Sequence, residues 1–211
     1  MYIIFFISLI GLILILAPYF LSVEHIKLQE KYGEEKGIKL AKALGLISGW
    51  GFFLLLFGIW ISPQPKFKIP FLQIDLEIVP IFNFSIILFH LIISIPIIFI
   101  GAWFGLVGVK EITLKVAETH MPERVISTGI YSRIRHPQYF GAILSHIGIS
   151  ILLSSFYSIL STPFVVFLIY LISWKEEKEL LREFGKDYEI YKKRVPMLFP
   201  RIKPANKNKQ I

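Results

Sequence analysis

The chain of 211 residues contains no cysteine, and only 18% of its residues are charged. Without cysteine, disulfides, thiolate nucleophiles and cysteine metal sites are excluded. The five histidines show no H-E-x-x-H or similar ligand spacing, so we expect no metal site. The scarcity of charge excludes an ordinary soluble domain of this length and indicates an integral membrane protein.

Apolar residues make up 55% of the chain, and 19 of them are phenylalanine. Because a membrane-spanning helix needs about 20 apolar residues, we predict an all-α polytopic membrane protein with about five transmembrane helices. The predicted spans are roughly 2–22, 44–62, 83–108, 139–154 and 157–174. The last two are short and could also form one hairpin that crosses only partly. The predicted division is an N-terminal two-span region, 1–82, and a catalytic region, 83–211.

The lysines and arginines predict the orientation of these spans. Of the 23 in the chain, 21 fall in the segments 23–43, 110–138 and 175–211, whereas the segment 63–82 holds two. Basic residues accumulate on the cytoplasmic side, so we expect the N-terminus outside and the C-terminus in the cytoplasm. The net charge of +8 is then explained by anionic lipid headgroups, and we expect no nucleic-acid partner.

Two polar segments border the predicted spans. The segment 23–43 carries mixed charge, and Gly33 and Gly37 predict a solvated connector without a continuous helix. The tail has apolar residues at spacings of three and four, which predicts an amphipathic cytoplasmic helix continuing from the last span. This stripe consists of Leu181, Phe184, Tyr188, Tyr191 and Val195.

Ionisable groups cluster at both ends of the last predicted hairpin. Arg133, Arg135 and His136 precede Pro137, and proline suits the first turn of a helix. A helix N-terminus exposes unpaired N–H groups, so this point favours anions. An acidic pair follows the hairpin directly after Trp174. Basic and aromatic residues are also ordinary at membrane boundaries, so composition alone leaves a functional and a topological interpretation open.

Two motifs resemble the signature of the isoprenylcysteine carboxyl methyltransferases and related membrane phospholipid methyltransferases. The first is Thr128-Gly129-Ile130-Tyr131 followed by Arg135-His136-Pro137-x-Tyr139-x-Gly141. The second comprises Glu176-Glu177, Leu180, Phe184-Gly185, Tyr188, Tyr191 and Val195-Pro196. The resemblance covers about residues 100–202 and is specific as a set, although no single motif would be.

The resemblance implies that the cofactor is S-adenosylmethionine, bound without a Rossmann fold at the cytoplasmic end of the last spans. It implies cofactor contacts by Tyr131, His136, Pro137, Gln138, Tyr139 and Glu176. It implies mainly backbone contacts by Glu123, Arg124, Val125 and Ile126. A lipophilic acceptor would enter from the bilayer. Residues predicted to act in catalysis are Arg133, Glu177 and Arg194.

One position departs from the family pattern. The carboxyl methyltransferases carry an arginine for the acceptor carboxylate one helical turn before the acidic pair, and this chain has Ile172 there. Either Arg133 or Arg194 substitutes for it, or the acceptor is not a prenylcysteine carboxylate. Two other classes stay open: a membrane reductase of the sterol-reductase type that uses NADPH, and a non-enzymatic membrane module.

Overall fold

The computed structural model describes residues 2–71, 74–79, 84–113, 116 and 122–200. The N-terminal region begins with α1 (Ile3–Leu14) and α2 (Leu16–Val23), which form one apolar stretch interrupted at Ile15. Pro18 lies just beyond the interruption and has no N–H to donate to the preceding turn, which accounts for the break. Both helices pack against the long helix α4 (Glu34–Ile61).

The connector between the first two predicted spans is more helical than expected. Helix α3 (His25–Tyr32) ends at Gly33, whose φ of +83° favours glycine. The prediction that Gly37 also breaks the helix is wrong, because it lies inside α4. A Cβ on Gly37 would come within 2.5 Å of the Gln29 backbone, so this glycine allows α3 and α4 to approach closely.

A short two-stranded sheet overlaps the start of the third predicted span, so the described residues are mainly helical with little sheet. Strand β1 (Asp75–Val79) pairs antiparallel with β2 (Phe84–Ile87), with Asp75 opposite Ile87. The isoleucines that the span prediction assigned to a helix here begin as a strand, which suits β-branched side chains. Helix α5 (Leu88–Ile112) follows at once and contains Pro96.

The last predicted hairpin and the tail that follows it contain four helices. They are α6 (Pro137–Leu152), α7 (Phe156–Leu160), α8 (Thr162–Phe184) and α9 (Lys186–Arg194). By length and composition, three helical stretches within the described residues could cross a membrane: Ile3–Val23, Glu34–Ile61 and Leu88–Ile112. Helix α6 has only 16 residues, and α8 becomes charged in its second half. The count of five spans therefore stays a prediction.

The tail helix differs from its prediction in two respects. It continues from the last predicted span only as far as Phe184, because Gly185 adopts a φ of +53° and separates α8 from α9. Tyr188, Tyr191 and Val195 are buried together, whereas Leu181 is 38% exposed and lies off this face. The helix changes direction at Gly185, so a periodicity counted across that residue does not describe one continuous face.

The hinge of the last hairpin packs against the loop that follows α4. Phe67 N donates to Ser154 O at 3.0 Å, and Lys66 Nζ donates to Leu153 O at 2.6 Å. His90 joins the same contact, with its Nδ1 2.8 Å from Ser154 Oγ and its Nε2 accepting from the Ile69 N–H at 3.1 Å. At 1.5 Å per residue, α6 places this contact about 24 Å from its own N-terminus.

Candidate functional site

The chain that follows α9 returns to the motif that begins α6. Arg135 N donates to Pro196 O at 2.9 Å, and His136 N donates to Met197 O at 3.1 Å. Pro137 is the first residue of α6, as the sequence predicted. These bonds hold the residues before α6 and those after α9 side by side, so the two motifs form one site.

Glu177 lies at the centre of a buried ion cluster. Its Oε1 accepts from Arg135 Nε at 2.6 Å and lies 3.2 Å from His136 Nε2. Lys192 Nζ is 3.1 Å from Glu177 Oε2, an ion-pair contact without hydrogen-bond geometry. Glu177 is fully buried. Burial alone would raise its pKa, but His136 and Arg135 outweigh burial and lower the pKa to about 2.

The Arg135 guanidinium is hydrogen-bonded to other parts of the protein. Besides its bond to Glu177, the guanidinium donates to Lys192 O at 2.7 Å and to Val195 O. A fork of N–H donors suits this set of partners, and it ties the end of α9 to α6. Arg135 therefore anchors the fold around the site, and most of its donors are already used.

His136 bridges the two carboxylates of the acidic pair. Its Nε2 faces Glu177, and its Nδ1 lies 3.3 Å from Glu176 Oε2. Burial would lower the pKa of His136, but the two carboxylates more than compensate and raise the pKa above its usual value. A protonated imidazole donates from both nitrogens, so His136 fixes the relative positions of the two carboxylates.

Glu176 faces the other way, toward two tyrosines. Its Oε1 accepts from the hydroxyls of Tyr139 and Tyr19, which also contact each other. The Tyr139 ring stacks on His136, with centroids 5.4 Å apart and planes 12° apart. Tyr19 comes from α2, so the N-terminal region contributes directly to this cluster.

The loop before α6 is held by the end of α5. The Ile130 N–H donates to both oxygens of Glu111, at 3.0 and 3.1 Å. Gly129, with a φ of +53°, leaves no room for a Cβ beside that carboxylate. The Tyr131 hydroxyl donates to Gly108 O at 3.3 Å and accepts from Gln138 Nε2 at 3.3 Å. Burial raises the pKa of Tyr131, which stays a neutral phenol.

These elements enclose a cavity of about 900 Å³, a volume that includes its open mouth. The residues that were predicted from the sequence and that line this cavity are Arg124, Val125, Ile126, Tyr131, His136, Pro137, Gln138, Tyr139 and Glu176. Four other predicted site residues do not line it. Glu123, Arg133 and Arg194 are exposed, and Glu177 is buried behind the wall.

Sequence reasoning missed the wall that the N-terminal region supplies. Val23 and His25 line the cavity, and Tyr19 holds Glu176. The available signal was Glu24-His25, an ionisable pair directly after the first apolar stretch. Ile172, where the family pattern has an arginine, is 3% exposed and packs in the main apolar core, away from the lining of the cavity.

Comparisons with known proteins agree with the motifs. Residues 86–187 match the family described as phospholipid methyltransferase. The chain is 36% identical over 86 residues to a protein-S-isoprenylcysteine O-methyltransferase of Schizosaccharomyces pombe, a match that covers 37% of this chain and 34% of that protein. It is 34% identical over 87 residues to the protein of the same name from Xenopus laevis, covering 37% and 28%. The match thus spans about a third of each relative.

Proposed function

We propose that this protein is an integral membrane methyltransferase that uses S-adenosylmethionine, because residues 86–187 match the phospholipid methyltransferase family. The observation that supports this most is the convergence of both motifs on one cavity, with His136, Tyr139 and Glu176 on its wall. A membrane-bound domain of this family has to admit a polar cofactor beside an apolar acceptor, and the cavity has both polar and apolar walls.

The lining residues fit the chemical groups of this cofactor. The Glu176 carboxylate suits hydroxyl or ammonium donors, and the faces of Tyr131 and Tyr139 suit an adenine ring or a cation. S-adenosylmethionine supplies an electrophilic methyl group on a sulfonium. The residues themselves bind and orient, and the apolar wall of Val23, Ile112 and Leu180 excludes water. Alignment in such a pocket is sufficient for a large rate enhancement.

The acceptor is proposed to be lipophilic, with a reacting group other than a deeply buried carboxylate. A buried carboxylate needs a cation, since an unpaired charge in a low dielectric is strongly disfavoured. Arg133 and Arg194 lie outside the cavity, and Arg135 is already bonded to Glu177. Ile172 leaves the core position uncharged. Among the described residues, the remaining arginine of the cavity wall is Arg124, which is exposed and would pair only with a carboxylate held near the surface.

The test of this function is isothermal titration of the detergent-solubilised protein with S-adenosylhomocysteine and, separately, with NADPH. We expect saturable binding of S-adenosylhomocysteine and no binding of NADPH. Saturable binding of NADPH alone would instead support the reductase alternative. If folded protein binds neither ligand at millimolar concentration, the proposal is wrong and a non-enzymatic membrane module fits better.

The orientation of the chain is proposed to be N-terminus outside and C-terminus cytoplasmic, with the cavity opening to the cytoplasm. Because the natural chain has no cysteine, single cysteines report sidedness without background labelling. Lys68→Cys lies in the loop after α4 and Lys186→Cys lies at the start of α9, and both positions are exposed. We expect a membrane-impermeant maleimide to label intact cells at position 68 and only lysed cells at position 186. The reverse pattern would invert the topology.

A further inference from the structure

Two ionisable residues outside the family motifs meet at one end of the cavity. His25 is the first residue of α3, and Glu183 lies in the last turn of α8. Both line the cavity, and His25 Nε2 lies 3.8 Å from Glu183 Oε1. This separation is longer than a hydrogen bond, so the pair attracts electrostatically but leaves the hydrogen-bonding capacity of both groups unused.

The His25 imidazole is buried without adequate partners. The residue is 7% exposed, and its Nδ1 has no hydrogen-bond partner among the residues that the structure describes. Buried polar side-chain atoms almost always have a partner, so an orphaned one requires a specific explanation. That nitrogen is sealed from the cavity, whereas the other nitrogen, Nε2, faces Glu183 at 3.8 Å without a hydrogen bond, and a ligand that enters beside His25 would supply a bond there.

The Glu183 carboxylate is also short of partners compared with its neighbour one turn earlier. Glu179 has Lys175 Nζ at 3.2 Å and Arg182 at 3.7 Å. Within the described part of the chain, Glu183 has no hydrogen bond and no ion pair except the long contact to His25. Its side chain is 25% exposed at the cavity. Partial burial raises the pKa of Glu183, and His25 only partly offsets this.

The chemistry of the two groups restricts what they can bind. An ionised carboxylate only accepts hydrogen bonds, and a neutral imidazole offers one acceptor nitrogen. A phosphate or carboxylate ligand would be repelled by Glu183 and by the adjacent Glu179, whereas an amino group can donate to both acceptors. The geometry points to a subsite, formed by His25 and Glu183, that binds an amino group of the ligand.

This inference rests on the proposed function for the identity of the ligand. The amino group has two possible sources, the amino-acid end of the cofactor and an amine on the lipid acceptor. In either case the subsite belongs to α3 and the end of α8, outside the motif residues around His136. A ligand held by both sites would be fixed at two points, which orients it within the cavity.

The decisive variant is Glu183→Gln, which removes the charge and keeps the shape. The matched control is Glu189→Gln, because Glu189 is an exposed carboxylate on α9 that pairs with Lys193 at 2.7 Å. Binding is measured by calorimetry with S-adenosylhomocysteine and with its analogue that lacks the amino group. A second arm uses short-chain phosphatidylethanolamine, with phosphatidylglycerol of the same chain length as its control.

We expect Glu183→Gln, but not Glu189→Gln, to lower the affinity for one of the two amino ligands by about tenfold or more. This is the effect of losing a charge-assisted hydrogen bond. If the binding of S-adenosylhomocysteine is weakened and that of its analogue is not, the subsite binds the amino group of the cofactor. If the binding of phosphatidylethanolamine is weakened and that of phosphatidylglycerol is not, the subsite binds the amino group of the acceptor. Unchanged binding of both amino ligands overturns the inference.

Thermal unfolding separates this role from a structural one. Because Glu183 lacks good partners, Glu183→Gln should keep or raise the melting temperature of the free protein. A lowered melting temperature with equal weakening of every ligand would show that the pair only holds α3 against α8, and would also overturn the inference. If the proposed function itself fails, the unmodified protein will not bind S-adenosylhomocysteine, and the phosphatidylethanolamine arm then decides about the subsite.

Discussion

Replacing Glu177 by leucine should lower the free energy of unfolding by about 3–5 kcal/mol, the cost of leaving a buried charge without its partner. Glu177 is fully buried, and the Arg135 side chain that pairs with it is only 7% exposed. The leucine would also leave Lys192 without this counter-charge and His136 with Glu176 alone. The measurement is the melting temperature in detergent followed by circular dichroism. The control is Glu189→Leu, an exposed position where we expect little change.

A paired substitution tests whether the missing charge is the cause. In Arg135→Met combined with Glu177→Leu, both charges are gone, so part of the lost stability should return. Recovery should be incomplete, because Arg135 also donates to the backbone carbonyls of Lys192 and Val195. A double variant that is less stable than Glu177→Leu by the full effect of the arginine would contradict this explanation.

Acid should act on the unmodified protein through the same carboxylate. Because the folded protein holds the pKa of Glu177 near 2, below its usual 4.5, the stabilisation is fully present above about pH 4.5. It is lost as the pH falls through about 2. The melting temperature should therefore fall on acidification, and it should fall less in Glu177→Gln, where there is no carboxylate to protonate.

The sequence predicted that the two motifs would meet, but not which role each carboxylate has. The motifs around His136 and Glu176 predicted that residues some 40 positions apart would meet, and the structure brings them together. The sequence could not show which role belongs to Glu176 and which to Glu177, because adjacent helical residues point in directions about 100° apart. Which of them faces Arg135 and which faces the cavity depends on the rotation of α8 within the bundle.

Some helix boundaries could be predicted from the sequence, and others could not. Proline at position 137 marked the start of α6 correctly, because a proline at the first helical position is a local preference. Gly37 was expected to interrupt a helix and Gly185 to lie within one, yet Gly37 continues a helix and Gly185 ends one. The difference lies in tertiary contacts: Gly37 packs against Gln29, whereas Gly185 is free to take a positive φ.

The contribution of the N-terminal region was the least predictable part. Tyr19 lies in an apolar stretch that resembles any membrane helix, and no motif surrounds it. Its importance arises only because α2 packs beside α8 and brings its hydroxyl to Glu176, 157 positions away in the chain. An ion pair between Lys175 of α8 and Glu24, the residue that follows α2, supports the same contact.

The second large effect is expected at the cavity wall. Glu176→Gln keeps the size of the side chain and removes its charge, so we expect S-adenosylhomocysteine to bind about 10- to 100-fold more weakly, as for the loss of a hydrogen bond to a charged group. Unlike Glu177, Glu176 faces the cavity, where it contacts the hydroxyls of Tyr19 and Tyr139 and the His136 ring. The melting temperature should therefore fall less than in Glu177→Leu.

Tyr19→Phe separates binding by Glu176 from positioning of Glu176. The phenylalanine removes one of the hydroxyls that hold the carboxylate and leaves the other, from Tyr139, in place. We expect an affinity loss of a few-fold, smaller than in Glu176→Gln, and no further loss when both changes are combined, because the tyrosine acts through the carboxylate. Calorimetry of the two single variants and the double variant tests this. Fully additive losses would mean that Tyr19 meets the ligand directly, and unchanged affinity in Glu176→Gln would remove this carboxylate from the cofactor site.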